Sequence, residues 1–305
     1  MKRKNRVRPD LYQEVTDKII KKLEEGTAPW RCSWNRYGMA KNYVSGNTYR
    51  GINAFLMNFF PPHPIPYYLS FKQAKDLGGH VKKGSKAEKV YFFKAYYKDA
   101  DGKSISAERA AQLQASGGDY QFIPFLKSYS VFNVADVEGV DFDIPEVQSH
   151  DHSTLERCEA MIAAIPNPPE FVEEDHNGAW YNPRRDKLNM PPLNQFETVE
   201  DYYSVKFHEL THSTGHVTRL NREGITGEIK PGSPEYAREE LIAEMGASFL
   251  CAATGIDVAS VTDNNAAYIA SWLKRLQDDK TLVLKAAAGA QKAADYLLNI
   301  ERNNS

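Results

Sequence analysis

The chain has 305 residues, is 42% hydrophobic and 26% charged, and carries a formal net charge of −2. That length suffices for two ordinary cores, and no apolar run approaches the roughly 18 residues of a membrane span, so helical membrane classes are excluded. Three cysteines, Cys32, Cys158 and Cys251, are odd in number and far apart, which excludes a disulfide framework or cysteine-rich metal site and predicts a reducing, cytoplasmic setting.

Met1 to Arg8 lacks the apolar stretch of a secretory signal and reads as a basic arm. Leu11, Val15, Ile19, Ile20 and Leu23 predict an amphipathic helix over residues 10–25, stopped by Gly26. Beyond it Trp30, Trp34, Tyr37, Tyr43 and Tyr49 are interleaved with Arg31, Arg36, Lys41 and Arg50, with Pro29, Gly38, Gly46 and Gly51 as loop formers. A helix is predicted over Phe71 to Leu77, and Lys72, Lys75, Lys82, Lys83, Lys86 and Lys89 surround turns at Gly78-Gly79 and Gly84. Strands are predicted over Lys89 to Tyr97 and Phe125 to Val134, with a mobile hairpin excursion from Lys98 to Tyr120 between them.

Charge divides the chain unevenly. Residues 1–140 hold 23 Lys+Arg against 13 Asp+Glu, and the remainder holds 15 against 27. A basic half of this density suits a polyanion. Rings among cations suit single strands in particular, because exposed bases stack on aromatics for about 1–3 kcal/mol each while Lys and Arg follow the phosphates. The candidate contacts are Trp30, Arg31, Trp34, Arg36, Lys41, Tyr49, Arg50, Lys72, Lys82 and Lys83. Any one ring is more often core than contact, so mixed use is expected of the set.

The acidic segment from Glu138 to Ser153 is the best linker, which divides the chain into 1–140, a linker at 141–153, and 154–305. Trp180 to Pro191 predicts a strand or hairpin whose edge suits pairing with a substrate strand. Thr198 then resembles an N-cap, and the helix it starts carries His208-Glu209-Leu210-Thr211-His212, closed by Gly215. Residues four apart share a helix face, so both imidazoles of this H-E-x-x-H run can reach one zinc ion while Glu209 reaches its water. Ser233-Pro234 starts a second helix, stopping near Gly255. Glu240 is the third-ligand candidate on it and Glu244 the partner of a ligand histidine, though spacing does not rank Glu239, Glu240 and Glu244 against one another. The H-x-x-G extension resembles metzincins, but Thr218 stands where their third histidine falls, and His216 is two residues early. His216 and Tyr236 are candidates for the surroundings of the metal or for stabilising an oxyanion. The tail from Ala266 to Ile300 predicts two helices.

Together, Leu11-Tyr12-Gln13-Glu14-Val15-Thr16, Pro29-Trp30, Trp34, Asn42, Tyr49-Arg50-Gly51-Ile52-Asn53 and Val131-Phe132-Asn133-Val134 resemble the N-terminal domain of the ArdC antirestriction proteins and related plasmid primases and phage polyvalent proteins. His208 to His216 and Tyr236 to Glu244 resemble the zincin-like domain of the same family. The resemblance implies an α+β fold of two domains, an N-terminal mixed α/β domain that binds single-stranded DNA and a C-terminal zincin-like metallopeptidase domain. It also implies a plasmid-borne protein that protects incoming DNA from host restriction, with zinc as cofactor and an unidentified protein substrate, drawn from the restriction machinery or elsewhere. No primase catalytic motif accompanies it. Two readings follow: a zinc peptidase with Glu209 as general base, or a non-enzymatic single-strand coat with a structural or vestigial metal site. The intact Glu209 favours the peptidase.

Overall fold

Asp10 opens helix α1 (Leu11–Glu24) by accepting from the backbone N–H groups of Tyr12 and Gln13, and the helix buries Val15, Ile19 and Leu23, the face its periodicity predicts. The computed structural model describes residues 10–26, 39–61, 63–144, 153–174, 178–227, 233–256 and 266–300. Cys158 and Cys251 are buried free thiols, and burial pushes the Cys158 thiol up to about 11. No described helix is long and apolar enough to cross a membrane.

After α1 the chain forms β1 (Lys41–Asn42), α2 (Ile52–Phe59), β2 (Tyr67–Leu69), α3 (Phe71–Asp76), β3 (His80–Val81), β4 (Glu88–Asp99), β5 (Ser104–Ile105), α4 (Ala107–Ala115), β6 (Tyr120–Asn133) and β7 (Val137–Glu138). A five-stranded sheet runs β1-β2-β6-β4-β5, and β3 pairs with β7 apart from it. Ser70 and Gln73 close a capping box on α3, where the sequence places a helix. The sheet is dominated by the antiparallel ribbon β4–β6, paired without interruption from Glu88↔Val131 to Asp99↔Tyr120.

The expected hairpin is there, and the segment between its strands is shorter than expected. Both strands run past the predicted ends at Tyr97 and Phe125, and β5 with α4, capped by Ser106, fills the crossing. Much of the ribbon has both faces in water, so the alternation that marks a half-buried strand is absent from its sequence.

The rest of the chain forms α5 (Ser153–Ala163), β8 (Glu170–Val172), β9 (Trp180–Asn182), β10 (Lys187–Asn189), α6 (Val199–Ser213), the short α7 (Glu223–Thr226), α8 (Pro234–Thr254), α9 (Ala266–Asp278) and α10 (Leu282–Leu297). The predicted hairpin is β9–β10, and β8 adds to β10 in parallel, which leaves β9 at the edge. From Leu241 onward helix α8 is largely buried among its neighbours, while its first turn is exposed. It packs on α6 at Gly246, where a Cβ would stand 2.5 Å from Thr211 Cγ2, and on α10 at Gly289, where one would stand 2.7 Å from Ile242 Cδ1.

One buried cluster joins the two halves of the chain. Val15, Ile19, Leu23 and Phe55 pack in the same core as Leu210, Leu241, Leu250, Ala286 and Ala290. Polar contacts reinforce it: Thr16 donates to the Lys280 carbonyl at 2.9 Å, Lys280 pairs with Asp10 at 2.5 Å, and the Gly51 N–H donates to Gln291 at 2.8 Å.

Candidate functional site

Thr198 caps α6 by accepting from the Asp201 N–H at 3.1 Å, and Glu200 and Asp201 in the first turn complement the helix dipole. Tyr203, Phe207 and Leu210 anchor the helix in the core. His208 and His212 therefore project one turn apart on a common face, with their Nε2 atoms 3.1 Å from each other. Ser233 and Pro234 start α8, which brings the Glu240 carboxylate to 3.8 Å from His208 Nε2 and 3.7 Å from His212 Nε2. An ion held tetrahedrally at about 2.1 Å from each ligand spaces its ligand atoms about 3.4 Å apart. Two imidazoles and a carboxylate at these separations fit a divalent metal, and this is the cluster of potential ligands found among the described residues.

Glu239 and Glu240 are neighbours with different tasks. Glu239, its side chain only 4% exposed, lies 3.4 Å from His212 Nδ1 and accepts from Arg222 Nε at 3.0 Å and Arg222 Nη2 at 2.5 Å. Burial works to raise its carboxyl, but the hydrogen bonds from His212 and Arg222 hold it below the usual range. It thus fixes the His212 ring from the side opposite the cluster. Arg222 is held in turn by the backbone around Thr211. Burial opposes charge on His212 as well, yet Glu239, with Glu209 and Glu240 behind it, raises the imidazole. Glu244 lies one turn beyond Glu240 and adds negative charge to it.

A cleft of about 440 Å³ lies over the cluster, walled by Trp180 and Tyr181 of β9, Ile225 of α7 and Tyr236 of α8, with Glu209 in its lining. Burial raises the Glu209 carboxyl above its usual range, against the charge of His212 and with that of Glu240. Tyr236 is within hydrogen-bonding reach of Glu240, where burial and that carboxylate raise its hydroxyl. His216 stands apart from the cleft: its Nδ1 is 2.9 Å from Thr218 Oγ1, and it faces Asp186 at 3.9 Å. Asp186 is bound by Arg219 and accepts from the Tyr181 hydroxyl at 2.8 Å, which ties the turn between β9 and β10 to the end of α6.

The candidate DNA contacts are scattered. Trp30, Arg31, Trp34 and Arg36 lie outside the described residues. Tyr49 packs edge-on against Tyr68 at 6.1 Å in a small core with Met57 and Val131, so it is a core ring. Arg50 reaches across to α10 and binds both oxygens of the buried Asp295 at 2.6 and 2.5 Å. Lys41 belongs to β1 and is partly covered, whereas Lys72, Lys82 and Lys83 are exposed, Lys82 donating to the Ala135 carbonyl at 2.9 Å.

The fold has a solved counterpart. The metal-free crystal structure of the antirestriction protein ArdC from plasmid R388 superposes with a TM-score of 0.71 at 35% identity, over 96% of this chain and 100% of that one. The chain belongs to the ArdC antirestriction family. The Mn(II)-bound crystal structure of the same R388 protein gives a TM-score of 0.69 at 36% identity, over 97% of this chain and all of that one. Residues 9–132 match the model of the N-terminal domain of anti-restriction factor ArdC, and residues 156–289 match that of the zincin-like metallopeptidase. A DNA primase TraC of Escherichia coli is 30% identical over 97% of this chain, and the chain spans only 28% of its length.

In this ArdC-type α+β fold, the helix pair behind the candidate centre is legible from spacing, but the Arg222–Glu239–His212 chain is not. Arg222 lies ten residues beyond His212 in an irregular segment with no periodicity to place it. The acidic run Glu239-Glu240 is the one signal, since two adjacent carboxylates on a helix cannot share a face.

Proposed function

We propose that this ArdC-family protein is a zinc-dependent peptidase joined to a single-stranded-DNA-binding half, and that it protects incoming DNA from host restriction. The observation that carries the peptidase reading is the position of Glu209, half-buried in the lining of an open cleft beside the His208–His212–Glu240 cluster, where burial raises its carboxyl above the usual range. A purely structural site has no use for such a base. Zinc bound there would polarise a peptide carbonyl and acidify the attacking water. Glu209 takes the proton of that water and returns it to the departing amine, work that a carboxyl raised above its ordinary range does better than an unperturbed one. Tyr236 lines the cleft next to Glu240, and on this reading its hydroxyl turns from that carboxylate to donate to the developing oxyanion. Edge strand β9, with Trp180 and Tyr181 in the cleft wall, offers backbone groups to an extended substrate. Glu239 and Arg222 hold the His212 ring, and Glu244 acts on the cluster from the next turn.

The test is cleavage of an unfolded protein such as reduced casein by the zinc-loaded protein. Wild type is expected to cut it and to stop on chelation, and Glu209→Gln, with metal still bound, to be slower by about 10²–10⁴-fold. Equal rates for the two would overturn the assignment of Glu209.

A further inference from the structure

The β4–β6 ribbon presents two chemically different faces. Because its pairing is uninterrupted, directly opposed residues share a face and successive residues alternate. One face reads, pair by pair, Val90 with Tyr129, Phe92 with Lys127, Lys94 with Phe125, Tyr96 with Ile123, and Lys98 with Gln121. It carries three lysines, four aromatic rings and no carboxylate; Glu88 lies beyond its base and is paired with Lys18 at 3.3 Å. The rings lie open: Phe92 and Tyr129 are each 50% exposed, Tyr96 44% and Phe125 40%. Cations sit among them, with Lys94 Nζ 5.1 Å from the Tyr96 centroid and Lys127 Nζ 4.6 Å from that of Tyr129. The opposite face has exposed rings too, Phe93 and Phe122, but from Tyr91 to Asp99 it has no lysine. Its one cation, Lys89, is spent on Glu14 at 2.7 Å.

Lysines that served only to keep a ribbon from pairing edge to edge would need no open rings between them. Rings meant for an apolar partner would not be interleaved with cations that such a partner leaves unpaired. A ligand that is flat, apolar on its faces and negatively charged along its length satisfies both, and same-face positions recur about every 7 Å along each strand. We propose that this lysine-bearing face is where single-stranded DNA docks, with bases on Phe92, Tyr96, Phe125 and Tyr129 and phosphates on Lys94, Lys98 and Lys127. The assignment rests on the reading that the protein binds single strands, and it moves the contact surface to residues outside the Trp30–Arg50 segment.

The experiment is binding of a fluorescent oligothymidine to the full-length protein over a salt series. Relative to wild type, Phe92→Leu with Phe125→Leu should weaken binding by roughly tenfold or more at an unchanged salt slope. Lys94→Gln with Lys127→Gln, both solvent-facing and harmless to folding, should flatten the log–log slope by about 1.4, or about 0.7 for each phosphate left without its lysine. Phe93→Leu on the opposite face should change neither. Wild type that binds while both double variants bind equally well would place the strand elsewhere and overturn the ribbon assignment alone. Wild type that binds no single strand would overturn the underlying reading. Unchanged DNA binding together with a ring variant that converts a dimer into a monomer would identify the face as a contact between protein copies and reject the proposal.

Discussion

At the residue scale the candidate centre depends on a side chain that is not among its three candidate ligands. Glu239 holds both the Nδ1 side of His212 and the guanidinium of Arg222, so its loss frees the imidazole to turn and leaves a half-buried cation unpaired. Glu239→Gln is expected to weaken zinc binding by about 10–100-fold in a competitive metal titration, whereas Glu209→Gln leaves affinity within a few-fold of wild type. A proton competes with the metal for His212, whose pKa is raised. Zinc affinity should therefore begin to fall at a pH above the ordinary histidine value of about 6.5, and keep falling as acid is added. Removing Glu239 takes away the chief cause of the raised pKa, so in Glu239→Gln that fall should start at lower pH. Affinity profiles of the two proteins with the same onset would refute the link between Glu239 and His212.

Among elements, the α6–α8 contact sets the distance between the two histidines and Glu240. Gly246 leaves no room for a Cβ against Thr211, and a methyl there wedges the two helices apart. Gly246→Ala should lower stability by about 1–3 kcal/mol despite its gain in helix propensity, and weaken metal binding with it. Gly289→Ala crowds Ile242 on the other side of α8 and should cost stability while leaving the metal site intact. Thermal melts and metal titrations on both variants separate the two effects. These helices were legible in the sequence because caps, Pro234, Gly255 and the His208–His212 spacing all agree on them. The ribbon was legible only in part, and its two-faced chemistry not at all before register was known, since one residue of slip exchanges the faces. The same limit applies to Tyr49, whose neighbours in sequence are cations but whose neighbours in space are Tyr68 and Met57.

For the whole molecule, the opposite charges of the two halves suggest separate units, yet α1 and α2 are seated on α9 and α10. Amphipathicity showed that Val15, Ile19 and Leu23 would be buried, and could not show against what. Arg50→Ala takes the guanidinium away from the Asp295 carboxylate, only 5% exposed, and should cost about 1–3 kcal/mol in chemical denaturation. Its effect on DNA affinity should be small at temperatures where the variant is folded, because Arg50 faces α10. A fragment ending near Glu138 loses the partners of α1 and is expected to show a weaker, broader unfolding transition than the full chain.

In the function proposed, protection of DNA runs through peptide hydrolysis at the His208–His212–Glu240 centre, with Glu209 as its base. The most direct measurement is the survival of unmodified plasmid DNA entering a restricting recipient, with wild-type protein, Glu209→Gln or no protein supplied. Glu209→Gln, folded, metal-loaded and binding single strands as wild type does, is predicted to protect no better than no protein. Full protection by Glu209→Gln would rule out hydrolysis as the route and make the protein a coat whose metal centre serves the fold.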